Sequence, residues 1–83
     1  MPITSTTPVS TLMQLAQAEL ANLNQNEQFT VRDLFKGYEW NRLPMGVRRQ
    51  LGNVFFAFAG GAGASLISIG PKTPQNQQRY IKR

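Results

Sequence analysis

Between Pro44 and Ala59 the apolar residues Val47, Leu51, Val54, Phe55 and Phe58 recur at intervals of four, three, one and three, the period of a helix buried along one side. This stretch predicts a helix over about residues 44–59 whose apolar side walls the core. At about 100° per residue, Met45, Arg49, Gly52, Asn53 and Phe56 fall on the outward side, while Arg48 flanks the apolar stripe. Gly60-Gly61-Ala62-Gly63-Ala64 follows at once and reads as a flexible connector, because glycine gives up too much backbone freedom to prolong a helix.

The remaining elements arrange themselves around this helix. Val9, Leu12, Met13, Ala16, Leu20 and Leu23 lie at helical spacing and predict a first helix from Val9 to Leu23, with Thr7 as its cap and Pro8 in the first helical position. Residues 22–28 are polar and read as a loop, with room for a brief strand at Gln28 and Phe29. Thr30 followed by Asp33, with Phe29 placed to staple onto Leu34, is a helix-start signal. A second helix of about two turns is predicted there, stopped by Gly37, and Tyr38 to Leu43 reads as a turn that half-buries Trp40. Residues 65–70 and 78–82 predict a hairpin whose tip is Pro71 to Asn76. Tyr80 and Ile81 are adjacent and must face opposite sides, and both are plausible core residues.

Helix, short helix, turn, long helix and hairpin is the order of a winged helix-turn-helix, an α+β and mainly helical fold with a two-stranded wing. The 83-residue chain has room for one such domain, taken as residues 9–83, behind a frayed polar leader of residues 1–8.

Charge gives this fold a direction. No acidic residue follows Glu39, so residues 1–41 carry about −2 and the remainder about +7 within a net charge of +5. Such asymmetry points to a polyanion. The chain has no cysteine and no histidine, which removes disulfides, thiolate metal sites and the usual nucleophile-and-base constellations, so a binding role suits it better than catalysis. No cofactor is expected. The start of the chain lacks the pattern of a signal peptide and no apolar run approaches a membrane span, so cytoplasmic residence and no membrane partner are expected.

In a winged helix the third helix offers its outer side to the major groove and the wing lies along the backbone. The cations suit that geometry: Arg42, Arg48 and Arg49 at the start of the third helix, Lys72 at the wing tip, and Arg79, Lys82 and Arg83 along the return strand. Asn53 has the amide geometry for adenine, and Tyr80, set between Arg79 and Lys82, is a candidate for stacking on a base. Arg42, Arg49, Lys72, Arg79 and Lys82 are expected on one shared face. Gly60 to Gly63 is no phosphate cradle, since no Lys-Ser or Lys-Thr follows it.

The segment from Phe29 to Pro44, followed by Arg48-Arg-Gln-Leu-Gly-Asn-Val-Phe and Gln77-Gln-Arg-Tyr-Ile-Lys, resembles a family of short proteins from Gram-positive bacteria and their phages, catalogued as a domain of unknown function. The resemblance covers about residues 28–83. Some members carry the label of single-stranded DNA-binding protein, which implies DNA as partner, but the family supplies no functional residues to carry over. The competing expectation is a protein-interaction module in which Phe56, Met45 and Gly52 form an apolar contact and the cations meet an acidic partner, or a homodimer through Phe56 or the first helix.

Overall fold

The computed structural model describes residues 3–83. In chain order they form α1 (Val9–Glu19), a 3-10 turn (Leu20–Asn22), β1 (Gln28–Phe29), a second 3-10 turn (Val31–Leu34), α2 (Gly37–Asn41), α3 (Met45–Gly60), β2 (Ile67–Lys72) and β3 (Gln78–Lys82). Three α-helices thus pack on a three-stranded antiparallel sheet of order β1-β3-β2. The expected hairpin is present, but it is not a two-stranded wing: β1 pairs with β3 through Gln28–Ile81 and Phe29–Tyr80, making β3 the central strand.

α1 carries the expected stripe, with Leu12, Met13 and Ala16 buried and Leu20 buried just beyond it. Its cap is Pro8 rather than Thr7. Pro8 is extended (φ −64°, ψ 150°) while its carbonyl already accepts the first helical bond, from Leu12 N–H at 3.1 Å. The Thr7 hydroxyl instead accepts from Thr4 N–H at 2.8 Å, closing a turn upstream. That turn also anchors what reads in the sequence as a frayed leader. Ile3 is buried in the core, its N–H donates to Glu39 Oε2 at 3.2 Å and its carbonyl accepts from Arg42 Nη1 at 2.9 Å. The first two residues of that leader lie outside the described residues.

At Thr30 the helix-start signal operates over a shorter element than expected. Asp33 Oδ2 accepts from Thr30 N–H at 2.9 Å, but the helix is a single 3-10 turn that Phe35 ends by turning extended (φ −125°, ψ 155°). Gly37 does not stop it. Lys36 caps a new helix that Gly37 opens, so most of the predicted turn from Tyr38 to Leu43 is α2. Phe35 and Trp40 stack with centroids 5.7 Å apart, and Trp40 is half-buried.

α3 buries Leu51 and Phe55 fully and Ala59 nearly so, with Val47 and Phe58 packed partly against the core. Val54 departs from the expectation and is exposed, because it sits at the margin of the stripe beyond Val47. The glycine and alanine segment after α3 is an ordered turn, not a loose connector. Gly61 N–H and Gly63 N–H both donate to the Phe58 carbonyl, at 3.1 and 2.8 Å, and Ile67 N–H donates to the Gly63 carbonyl at 3.0 Å. Gly63 is buried against the Phe58 ring, which a Cβ would run into.

The pairing of β2 with β3 places Ile67 opposite Lys82, Ser68 opposite Ile81 and Ile69 opposite Tyr80, then slips so that Lys72 faces Gln78. One extra residue is therefore accommodated around Gly70 and Pro71, a bulge at an edge strand where proline's missing N–H is tolerated. The bulge reverses the side to which the end of β2 points. Strict alternation would set Lys72 on the side opposite Ile67 and Ile69; paired with Gln78, it shares the side of Tyr80.

Candidate functional site

Between the outward flank of α3 and the far end of the β2–β3 hairpin lies an open groove of about 630 Å³. The α3 wall supplies Met45, Arg48, Arg49, Gly52, Asn53 and Phe56; the hairpin supplies Lys72, Asn76, Gln77 and Gln78. Thr30, Val31, Arg32, Trp40 and Tyr80 complete the lining. Four cations and four side-chain amides thus share one concavity, and among the described residues no acidic side chain lines it. Three of the four acidic side chains, Glu19, Asp33 and Glu39, border a separate hollow of about 350 Å³ beside α1 and α2.

Local chemistry holds these groups in place. The Arg48 guanidinium lies over the Trp40 ring, 5.6 Å from its centroid, and Arg48 Nε is shut away from solvent without a hydrogen-bond partner. A buried, unpaired donor is costly, and the cation–π contact offsets part of that cost. At the hairpin end, Thr73 N–H donates to the Gln77 carbonyl (2.8 Å), Asn76 N–H to the Thr73 carbonyl (2.8 Å) and Gln77 N–H to Thr73 Oγ1 (3.0 Å). Asn76 takes the left-handed conformation this turn needs (φ 66°), which asparagine tolerates better than most residues. Met45 (59 % exposed) and Phe56 (48 % exposed) remain open apolar surface along the same wall.

Only some of the residues singled out in the sequence meet in the groove. Arg48, Arg49, Asn53 and Lys72 do, and Tyr80 reaches its lining. Arg42 is turned away, donating to the Ile3 carbonyl and lying over the Tyr38 ring at 5.1 Å. Arg79 precedes Tyr80 on β3 and therefore projects from the opposite side of the sheet. Lys82 and Arg83 sit at the other end of the hairpin, where Arg83 N–H donates to the Leu66 carbonyl at 2.9 Å and Arg83 Nε to the Ile67 carbonyl at 3.3 Å. The five cations expected on one face are divided.

Tyr80 borders the groove but is 1 % exposed and packed between Phe29 and Phe55, so its ring belongs to the core and offers no stacking face to a base. Burial pushes its hydroxyl pKa up to about 12. Conversely, sequence reasoning missed Arg32 and the cluster Asn76-Gln77-Gln78. Arg32 lies in the acidic half by position, yet it stands exposed between the buried Val31 and the capping Asp33, which turns it outward. That helix-start pattern was the available signal.

The model for a domain of unknown function, DUF1413, matches residues 14–82. The chain belongs to the DUF1413 family. The match takes in the C-terminal half of α1 as well as the groove, so the family domain reaches further toward the N-terminus than the resemblance from about residue 28 onward. No curated protein and no solved structure matches the chain. Among the described residues, no helix of this DUF1413 domain is long and apolar enough to cross a membrane.

Proposed function

We propose that this DUF1413 protein binds nucleic acid, most simply DNA, through the groove between α3 and the hairpin. The observation that carries the proposal is the convergence of Arg32, Arg48, Arg49 and Lys72 in one concavity that no acidic side chain among the described residues lines. Cations so placed attract phosphates, and the surrounding amides can donate to and accept from base edges. The order of elements, with β1 laid beside a hairpin that follows the longest helix, supports a winged-helix reading in which α3 and the hairpin grip together. Arg49 and Asn53 suit a duplex groove, while the open Phe56 ring suits an unpaired base. In this reading the protein is a cytoplasmic binding module rather than an enzyme.

Titration of the protein against matched single-stranded and duplex DNA at several salt concentrations tests this directly. If the four groove cations neutralise duplex phosphates, affinity falls with salt along a log–log slope of about −3 to −4. Affinity indifferent to salt would remove the proposal.

The exposed Met45 and Phe56 favour one second reading, a protein-binding or dimerisation surface in the same groove. Phe56→Asp distinguishes the two. If that reading holds it abolishes association with a protein partner or a second copy, whereas under the nucleic-acid reading it lowers affinity for single strands and leaves the oligomeric state unchanged.

A further inference from the structure

Three glycines stand in α3, Gly46, Gly52 and Gly60, and a Cβ added to any of them would meet nothing within 4 Å. Gly46 is in the first turn and Gly60 is the last residue, but Gly52 is in the interior, where glycine destabilises a helix relative to alanine. Packing within the folded chain does not require it. Of the three, Gly52 alone lines the groove. Arg48 and Arg49 lie one turn before it, Phe56 one turn after, and Asn53 beside it. With a rise of about 1.5 Å per residue, Arg48 and Phe56 stand roughly 12 Å apart along the axis with Gly52 midway.

We infer that Gly52 sets the depth of the groove: it leaves a bare stretch of helix on which a planar group lies toward the Phe56 ring while Arg48 and Arg49 take the anionic end. A nucleotide unit has that combination of a flat ring and a phosphate at that scale. This deepens, and rests on, the nucleic-acid reading. A side chain at residue 52 would stabilise α3 and fill the place the ligand needs.

The test is fluorescence anisotropy with a labelled oligodeoxynucleotide, as single strand and as duplex, alongside thermal melting, for the unaltered protein, Gly52→Ala, Gly52→Leu and Gly46→Leu. Both Gly52 variants should melt about 2–8 °C higher than the unaltered protein. Gly52→Leu should lose about tenfold or more in affinity, the scale of one lost stacked ring, and Gly52→Ala less. Gly46→Leu, outside the groove, should keep full affinity. Undiminished binding by Gly52→Leu overturns the inference and leaves the nucleic-acid reading standing, as do equal losses in Gly46→Leu and Gly52→Leu. Failure of the unaltered protein to bind either form of DNA overturns both.

Discussion

The Phe55 ring of α3 meets the Tyr80 ring of β3 edge-on, with centroids 4.9 Å apart and planes inclined by 76°. Phe29 of β1 completes the cluster, 6.4 Å from Phe55 and 5.8 Å from Tyr80. These rings join the helix to the sheet, and so fix the separation of the two walls of the groove. Tyr80→Ala should therefore cost about 3–5 kcal/mol of stability, as removal of a buried aromatic ring does, measured by urea unfolding. A variant that unfolds at the same urea concentration as the unaltered protein but loses DNA affinity would return Tyr80 to the binding surface.

The same burial makes stability sensitive to alkali. The Tyr80 hydroxyl has its pKa raised from 10.0 to about 12 because its ionised form is poorly solvated in the core. Below pH 10 the tyrosine is protonated in both folded and unfolded chains, and its contribution is fully present. Above pH 10 the unfolded chain ionises first, so stability should fall between pH 10 and 12, by up to roughly 3 kcal/mol. Denaturant unfolding across that range checks the fall, and Tyr80→Phe should flatten it.

Gly63 and Gly60 should respond oppositely to alanine. A methyl group at Gly63 collides with the Phe58 ring, whereas at Gly60 it meets open space. Thermal or urea unfolding should show Gly63→Ala destabilised by about 1–3 kcal/mol. Gly60→Ala should be neutral or up to about 1 kcal/mol more stable. Equal tolerance at both positions would mean that the turn after α3 is not held against Phe58.

The division of the cations predicts which of them DNA feels. Arg32→Ala, Arg49→Ala and Lys72→Ala should each weaken binding and reduce the magnitude of the salt slope by about one. Arg79→Ala should leave the slope unchanged, since Arg79 projects from the other side of the sheet. Arg42→Ala should act on stability instead, through loss of its hold on Ile3. If Arg79→Ala matches Lys72→Ala, the outer side of the sheet, and not the groove, is the contact.

Local patterns were the most legible part of this chain in its sequence. The stripe of α1, the span of α3, the outward position of Arg49, Asn53 and Phe56 and the extent of β3 follow from periodicity, because one buried side imposes its period on the residues that form it. The charge asymmetry along the chain has a partial counterpart in space: the groove holds four cations and no carboxylate among the described residues, while the hollow beside α1 and α2 holds three carboxylates together with Lys36. Helix boundaries were less legible where glycine and proline admit two readings. Gly37 opens a helix as readily as it ends one, and Pro8 caps α1 as readily as it enters it.

What the sequence by itself determined is the two long helices with their apolar sides, a hairpin and a cationic second half, while α2 stands where the sequence reads as a turn. What only the tertiary structure decided is which of those cations face the same space. Alternation along a strand says that Tyr80 and Arg79 point apart, but not which one is inside; the three-ring cluster with Phe29 and Phe55 settles that by burying Tyr80. Lys72 reaches the groove only because an extra residue around Gly70 and Pro71 reverses the end of β2, and Arg32 joins it from a turn remote in sequence. Side-chain direction along one element is a local property, whereas the meeting of side chains from different elements depends on strand register and packing, which arise only when the chain closes on itself.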